Sequence, residues 1–380
     1  MSGIKVLIAI PCLLLGGTEY QTLTLAKALI DSGYEVRLVC YFEHDSRMID
    51  YFQTLGVEVT LLSPQGIRPT SLLTTAVLLF QGFSHLLSTY HPAIVHVQYM
   101  APGSLAIALF KLLGVKIVLA TAHVPGHIYR HTFVPRFIAQ WMSELFLCVS
   151  QSSEHAFFGV DPHLYSSGLY AQGRKHFTLY NCTDLPDLPP NKVTAAPFTL
   201  GVVARLSHEK GIDSLLEAMP LILRAHPTLR LLIVGEGEQR KALEHLSMTL
   251  CIDHAITWAG LQPKESLPHW YAQMDMVIVP SRFEGFGLSA IEAMSYALPV
   301  VASAVDGLAE VVEDHVTGLL VPPENPLALS KAIITLLDNP YLQKKLGEAG
   351  RMRVKATFAY TLYQKSVAQL YGDVLKKRGN

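Results

Sequence analysis

The chain has 380 residues, half of them hydrophobic and 16% charged, a balance that suits two domains with large cores and excludes a disordered chain. Its 30 Lys/Arg against 31 Asp/Glu give a formal net charge of −1 at pH 7, which excludes the basic face of a nucleic-acid binder. The five cysteines (Cys12, Cys40, Cys148, Cys182, Cys251) are odd in number and far apart, with no Cys-x-x-Cys pair. They read as reduced, buried thiols of a cytosolic protein, neither a disulfide frame nor a zinc site.

In chain order, the opening "MSGIKVLIAIPCLLLGG" has the outline of a signal peptide, but Pro11 interrupts it and no small-x-small site follows, so secretion is not expected. "IKVLIAI" reads as the first strand. Thr18 with Gln21 three residues on is the pattern of a capping box for a helix that Gly33 stops. Further strands read "YEVRLVCY", "VEVTLL", "AIVHVQ", "VKIVLAT" and "LFLCVS". The run "LAIALFKLLGVKIVLA" is broken by Lys111, Gly114 and Lys116, so no membrane-spanning helix is expected there or elsewhere. The segment "CTDLPDLPPNKVTAAP", with four prolines, reads as an inter-domain linker. Beyond it come the strands "FTLGVVA", "LRLLIVG", "AITWAG", "MDMVIVP" and "PVVAS", with helices such as "GIDSLLEAMPLILRA" between them.

Strand and helix alternate throughout, which implies parallel sheets and two doubly wound α/β domains. The expected division is residues 1–182 and 183–357, with a terminal helix at about 358–380 packing back on the first domain. In such sheets ligands sit at the carboxyl ends of the strands. The residues that follow each strand are therefore the candidates for chemistry.

After "MDMVIVP" comes "FEGFGLSAIE", with Glu284 and Glu292 eight positions apart. A helix starting near Gly287 leaves the amides of Phe286, Gly287 and Leu288 free to hold phosphate or carboxylate, and Gly285 and Gly287 admit a close ligand. A carboxylate beside a phosphate is unfavourable unless it accepts hydrogen bonds from neutral donors, and sugar hydroxyls are such donors. Glu292, one turn into the helix, leans back towards the same pocket. The plain alternative is a helix start with two solvated glutamates. After "FTLGVVA", Arg205 and Lys210 of "RLSHEKG" are either an anion clamp or two surface cations. Gly16 and Gly17 make a bare turn after the first strand, and Gly235, Glu236 and Gly237 another after "LLIV". Neither is the Gly-x-Gly-x-x-Gly dinucleotide fingerprint. His123, His127 and His131 stand four apart, but Pro125 and Gly126 break the helix that would stack them, so His123 alone is assigned to an active site.

In these motifs, in their order and over most of its length, the chain resembles the retaining GT-B glycosyltransferases of family 4, the group 1 transferases. "ARLSHEKG", "VGEGEQR", "PSRFEGFGLSAIEAM" and "LPVVAS" carry the resemblance, the Glu284-x7-Glu292 element most of all, and "FAYTLYQKSVAQLYGDVL" matches the family's last helix. The resemblance implies two Rossmann-like domains facing a cleft. It implies that Arg205 and Lys210 hold the donor diphosphate, Glu284 accepts from donor-sugar hydroxyls and Glu292 from the ribose, and the amides of Phe286, Gly287 and Leu288 contact sugar and phosphate. Gly16 and Gly17 would close over the donor, and His123 would approach the reacting carbon. Ala297 departs from the family, where many members carry glycine before the "x-P-V-V" strand.

The activity so implied is transfer of a sugar from a UDP- or GDP-sugar to a hydroxyl of a glycan or lipid-linked acceptor, with no cofactor and no metal. The expected place is the cytoplasm, with peripheral contact at the cytoplasmic membrane face. Residues 1–180 carry only 11 Lys/Arg and 10 Asp/Glu against 19 and 21 in residues 181–380, so apolar stretches such as "SLLTTAVLLFQGFSHLL" are either a docking surface or ordinary sheet-covering helices. A sugar-nucleotide epimerase of the same fold, which needs no acceptor, and a silent nucleotide-sugar binder are the competing readings.

Overall fold

Short apolar runs rich in Val, Ile and Leu, buried on both faces, become the strands of two parallel sheets. The computed structural model describes residues 3–98, 103–123, 137–138, 141–188 and 197–379. The chain divides into two units, Met1–Asn181 with Thr361–Asn380, and Cys182–Tyr360.

In the first unit seven strands lie in the order β3-β2-β1-β4-β5-β6-β7, all parallel. They are β1 (Ile4–Ile10), β2 (Tyr34–Cys40), β3 (Glu58–Leu61), β4 (Ile94–Gln98), β5 (Ile117–Ala122), β6 (Leu145–Cys148) and β7 (His176–Thr178). The helices are α1 (Gly17–Asp31), α2 (Ser46–Thr54), α3 (Leu72–Tyr90), α4 (Gly103–Leu112), α5 (Gln151–Phe158) and α6 (Ser167–Ala171). Strand order reverses between β1 and β4, the switch point at which α/β sheets bind ligands. Right-handed crossovers carry α1 and α2 on one face and α3 and α4 on the other. On that second face Leu79, Phe83 and Leu86 of α3 and Ile107 and Phe110 of α4 share one core with Val95, Val97 and Val118 of the sheet.

The capping box expected at Thr18 does not form. Helix α1 begins earlier, with Gly16 as its extended N-cap and no side-chain cap, so Thr18 is already in the first turn. The terminal helix, Tyr360–Gly379, belongs to the first unit from Thr361 on. It is tied there by Tyr371 Oη at 2.6 Å from His96 Nδ1, by Tyr165 donating to Asp373 at 2.9 Å, and by Lys377 at 3.4 Å from Glu144.

In the second unit six strands lie in the order β10-β9-β8-β11-β12-β13, again all parallel. They are β8 (Thr199–Val203), β9 (Arg230–Val234), β10 (Ile256–Gly260), β11 (Met276–Val279), β12 (Val300–Ser303) and β13 (Leu319–Val321). The helices are α7 (Ile212–Ala225), α8 (Arg240–Thr249), α9 (Leu267–Gln273), α10 (Leu288–Ser295), α11 (Leu308–Val311), α12 (Pro326–Leu337) and α13 (Pro340–Arg353). Two strands, β7 and β13, go beyond the sequence reading. Each has three residues and lies at a sheet edge. Two cysteines differ as well: Cys251 is exposed, in a left-handed turn after α8, and Cys12 is only partly buried, while Cys40, Cys148 and Cys182 are buried as expected.

Candidate active site

The sequence places the strongest motifs after β8 and β11, and these strands are neighbours in the second sheet. The turn after β8 closes with Gly211 in the left-handed region at φ 59°. A Cβ there would stand 2.1 Å from the Pro280 carbonyl oxygen, so glycine alone lets this turn sit against the end of β11. Arg282 then fastens the two loops. Its guanidinium donates to both carboxylate oxygens of Asp213 at 2.9 and 2.8 Å, to Glu324 at 2.8 Å and to the His208 carbonyl at 2.7 Å. Burial raises the Asp213 pKa, but the Arg282 bonds outweigh it and hold the carboxyl below its ordinary value. Sequence reasoning passed over Arg282, although it lies within the quoted motif, because its partner Asp213 is 69 positions away.

With the loops so held, Lys210 Nζ donates to Glu284 Oε2 at 2.6 Å, and Ser281 Oγ reaches the same oxygen at 3.4 Å. Both side chains of the ion pair are largely but not wholly covered. Helix α10 starts where expected: Gly287 is its N-cap at φ 108°, with no side chain capping the first turn. A Cβ at Gly287 would press on Leu308, and one at Gly307 would stand 2.3 Å from the Gly285 carbonyl oxygen. Two loops therefore meet backbone to backbone at this helix start. Phe286 is buried against Phe358, which fixes the turn while its amide stays in the loop. Four residues on from Leu288, Glu292 accepts from Tyr271 Oη at 2.8 Å. Burial raises the Glu292 pKa, opposed by the Tyr271 bond and by Lys264. The two glutamates thus have separate partners, where the sequence reading gave them one shared pocket.

Other expected contributors sit differently. Arg205 is mostly exposed and pairs with Glu209 at 2.7 Å, one turn on, so Arg205 and Lys210 are each on a carboxylate of the chain itself. Gly235 and Gly237 were expected to admit a ligand. In the structure a Cβ at either would stand 1.9 Å from the Ala204 oxygen or 2.3 Å from the Leu206 oxygen, so their bareness serves loop packing. Glu236 between them pairs with Arg240 at 3.0 Å.

In the first unit, His123 follows β5, and its Nε2 lies 2.8 Å from Gln98 Oε1 at the end of β4. Burial pushes the His123 pKa down to about 3, which keeps the imidazole neutral. Gln98 is itself buried, and its Nε2 has no hydrogen-bond partner among the described residues. A small cavity opens here, lined by His96, Gln98, Thr121 and His123 together with apolar side chains such as Leu25 and Val149. At the start of α1, the space over Gly16 is taken by Glu19: a Cβ on Gly16 would meet Glu19 Oε2 at 2.6 Å. The anion at this helix start is therefore the chain's own carboxylate, beside Gly16 and Gly17. That carboxylate and, above all, burial push the neighbouring Cys12 thiol up to about 12. His127 and His131 lie outside the described residues. Among the described residues no group of three or more His, Cys, Asp or Glu is placed to hold a metal ion.

Two families match the chain, one on each unit: Glycosyltransferase Family 4 over residues 15–157 and Glycosyl transferases group 1 over residues 189–353. The chain belongs to the group 1, family 4 glycosyltransferases of GT-B fold. The group 1 match spans Arg205, Lys210, Glu284 and Glu292. An uncharacterized glycosyltransferase of Methanocaldococcus jannaschii is 32% identical over 177 residues, 47% of this chain and 45% of that protein. A D-inositol 3-phosphate glycosyltransferase of Segniliparus rotundus is 31% identical over 275 residues, 68% of this chain and 61% of that one. Thus the chain spans about half the length of the curated relatives it matches. In fold, the chain is similar to Anabaena HepE in complex with UDP-glucose, with TM-score 0.81 and 20% identity over 97% of this chain and 99% of that one.

Proposed function

We propose that the chain is a retaining, metal-independent hexosyltransferase that moves a sugar from a UDP- or GDP-sugar to a hydroxyl of a glycan or lipid-linked acceptor, in the cytoplasm or at its membrane face. The observation that carries the reading is the Lys210–Glu284 pair beside the uncapped start of α10. In this reading the donor diphosphate occupies the helix start, where the amides of Phe286, Gly287 and Leu288 and the positive end of the helix favour an anion. Lys210 turns from Glu284 towards it, Arg205 leaves Glu209 to join, and Glu284 accepts from sugar hydroxyls. Glu292, with Tyr271, accepts from the ribose. His123, neutral and held by Gln98, is assigned to the sugar near its reacting carbon.

The bond between the anomeric carbon and the diphosphate oxygen breaks, and its electron pair leaves with the phosphate, stabilised by Lys210 and the helix start. The acceptor oxygen bonds to the same face of the carbon, and its proton passes to the departing phosphate oxygen. A HepE structure holds UDP-glucose, which supports a nucleotide-sugar donor of this type.

The test is calorimetric binding of UDP-, GDP- and ADP-sugars, followed by product analysis with the donor that binds. A bound donor and a product of unchanged anomeric configuration are the expected results. Inverted configuration removes the retaining mechanism, and donor conversion without acceptor makes the chain an epimerase.

A further inference from the structure

Helix α9 is seven residues long and buries one side chain, Tyr271. The Tyr271 ring stacks on Tyr296, the residue that ends α10, with centroids 5.2 Å apart and planes at 18°. Phenylalanine would serve that packing equally well. The hydroxyl has a separate use, donating to Glu292 Oε2 at 2.8 Å. Burial and the nearby Glu292 charge push the Tyr271 pKa well above its ordinary value, so the phenol keeps its proton and remains a donor.

Glu292 is half-buried, and Tyr271 is the one hydrogen-bond partner of its carboxylate among the described residues. A carboxylate accepts at about four lone-pair sites, so one phenol leaves most of that capacity to other donors. A fold that needed only to satisfy a buried phenol would do so at lower cost with a neutral acceptor than with a half-buried charge. Three titratable groups face this carboxylate: Tyr271 on α9, Lys264 just before α9, and Tyr296 at the end of α10, whose own pKa is raised by burial and by Glu292. Of these, Tyr271 and Lys264 favour the charged carboxylate against the burial that opposes it.

We propose that Tyr271 is a positioning residue for nucleotide recognition: its hydroxyl fixes the plane of the Glu292 carboxylate, so that Glu292 accepts from the 2′- and 3′-hydroxyls of a ribose. With Oε2 held, two adjacent hydroxyls of one ring meet an acceptor that is already ordered, and little freedom is lost on binding. The same bond favours the carboxylate over the carboxylic acid, which makes the ribose contact dependent on pH. Loss of the phenol hydroxyl removes an influence that lowers the Glu292 pKa, so the acid form takes over at a higher pH than in wild type. The proposal rests on the assignment of Glu292 to the ribose in the transferase reading and adds the group that makes this contact selective.

The test is calorimetry on the full chain with UDP and GDP, each beside its 2′,3′-dideoxy analogue, from about pH 5.5 to about pH 8.5. For the nucleotide that binds, the wild type prefers the ribo form by about tenfold to a hundredfold. Tyr271→Phe loses about tenfold of that preference at the acid end, binds the dideoxy form as wild type does, and recovers part of the preference at the alkaline end. Tyr296→Phe removes the neighbouring hydroxyl without touching the Glu292 bond, and keeps the wild-type preference and pH profile. A Tyr271→Phe protein with the wild-type preference at every pH overturns the proposal. So does one that loses ribo and dideoxy binding alike at every pH, the mark of a packing role alone. Equal binding of the two forms by the wild type removes Glu292 from the ribose, and binding of neither nucleotide removes the donor site itself. Either result sinks the reading beneath the proposal, and the Tyr271 role with it.

Discussion

Lys210 Nζ stands 2.6 Å from Glu284 Oε2, which joins the turn after β8 to the loop before α10 through one ion pair. Under the proposed function, a diphosphate at the helix start would compete with Glu284 for that cation, and the carboxylate would repel the diphosphate. Glu284 would therefore favour a donor only through the sugar it carries. Glu284→Gln is expected to weaken nucleotide-sugar binding by about tenfold while free nucleoside diphosphate binds as well or better, since a hydrogen bond to a charged group contributes about 1.5–3 kcal/mol. Lys210→Ala is expected to lower kcat by about 10²–10³. Calorimetry on the matched pair of nucleotide and nucleotide-sugar decides the first point. Equal loss of both would mean that Glu284 only holds Lys210.

Arg282 makes no direct claim on a ligand, yet it binds Asp213, Glu324 and the His208 carbonyl at once. Its removal leaves a partly buried Asp213 without its cation and frees the turn that carries Lys210. Arg282→Ala is expected to reduce the stability of the second unit by about 1–3 kcal/mol. It should also lower kcat more than it raises KM, because the loss falls on Lys210 placement. Arg282→Lys keeps the charge but not the fork onto Asp213, and should recover only part of either quantity. Urea unfolding and steady-state kinetics on the two variants separate these outcomes. A variant that loses stability with unchanged kcat would make Arg282 a purely structural clasp.

The long alternating runs made most of this fold legible. Interior strands such as "LRLLIV" are buried on both faces and read as continuous apolar stretches. "HFT" and "LLV" did not, because a three-residue strand at a sheet edge is defined by its one neighbour and hardly by its own composition. Glu284, Glu292 and Lys210 were legible because helix geometry and strand ends are local properties. The partner of each was not: Tyr271 reaches Glu292 from 21 positions away, and Lys210 reaches Glu284 from 74. Gly235 and Gly237 illustrate the same limit from the other side. A bare position shows that something approaches closely, and here it is the chain's own backbone at Ala204 and Leu206.

Ala297 has a clear physical status. It stands just past α10 at φ 55°, its N–H bonded to the Met294 carbonyl at 2.9 Å, so an alanine occupies a left-handed helix end. The left-handed conformation costs about 1–2 kcal/mol for a residue with a Cβ, and glycine returns part of that through unfolded-chain entropy. Ala297→Gly is expected to stabilise the second unit by about 0.5–1 kcal/mol, with nucleotide-sugar binding unchanged. Denaturant titration checks the sign. A destabilised variant would show that the methyl makes a packing contact worth more than the strain.

His96 and His123 set the acid limit of the first unit. His96 is buried between Tyr371 Oη at 2.6 Å and Thr121 Oγ1 at 2.7 Å, and burial, with His123 nearby, pushes its pKa down to about 3. The folded state therefore keeps this imidazole neutral, whereas the unfolded chain binds a proton near pH 6.5. A folded pKa lower than the unfolded one means that the unfolded state binds more protons between those two values, so stability is full above about pH 6.5 and falls as the pH drops towards 3. From pH 7 to pH 5 the loss from His96 alone is about 2 kcal/mol. His96→Gln should be less stable than wild type at pH 7 but lose stability less steeply on acidification, by about 1 kcal/mol per pH unit below pH 6. Parallel slopes for the two proteins would mean that the His96 proton is bound equally well in both states. Gln98→Glu acts in the opposite direction on His123, because a carboxylate 2.8 Å from Nε2 favours the imidazolium. Its His123 resonance should titrate at higher pH than in wild type, and the acid limb of activity should move with it. An unmoved resonance would separate Gln98 from the His123 proton.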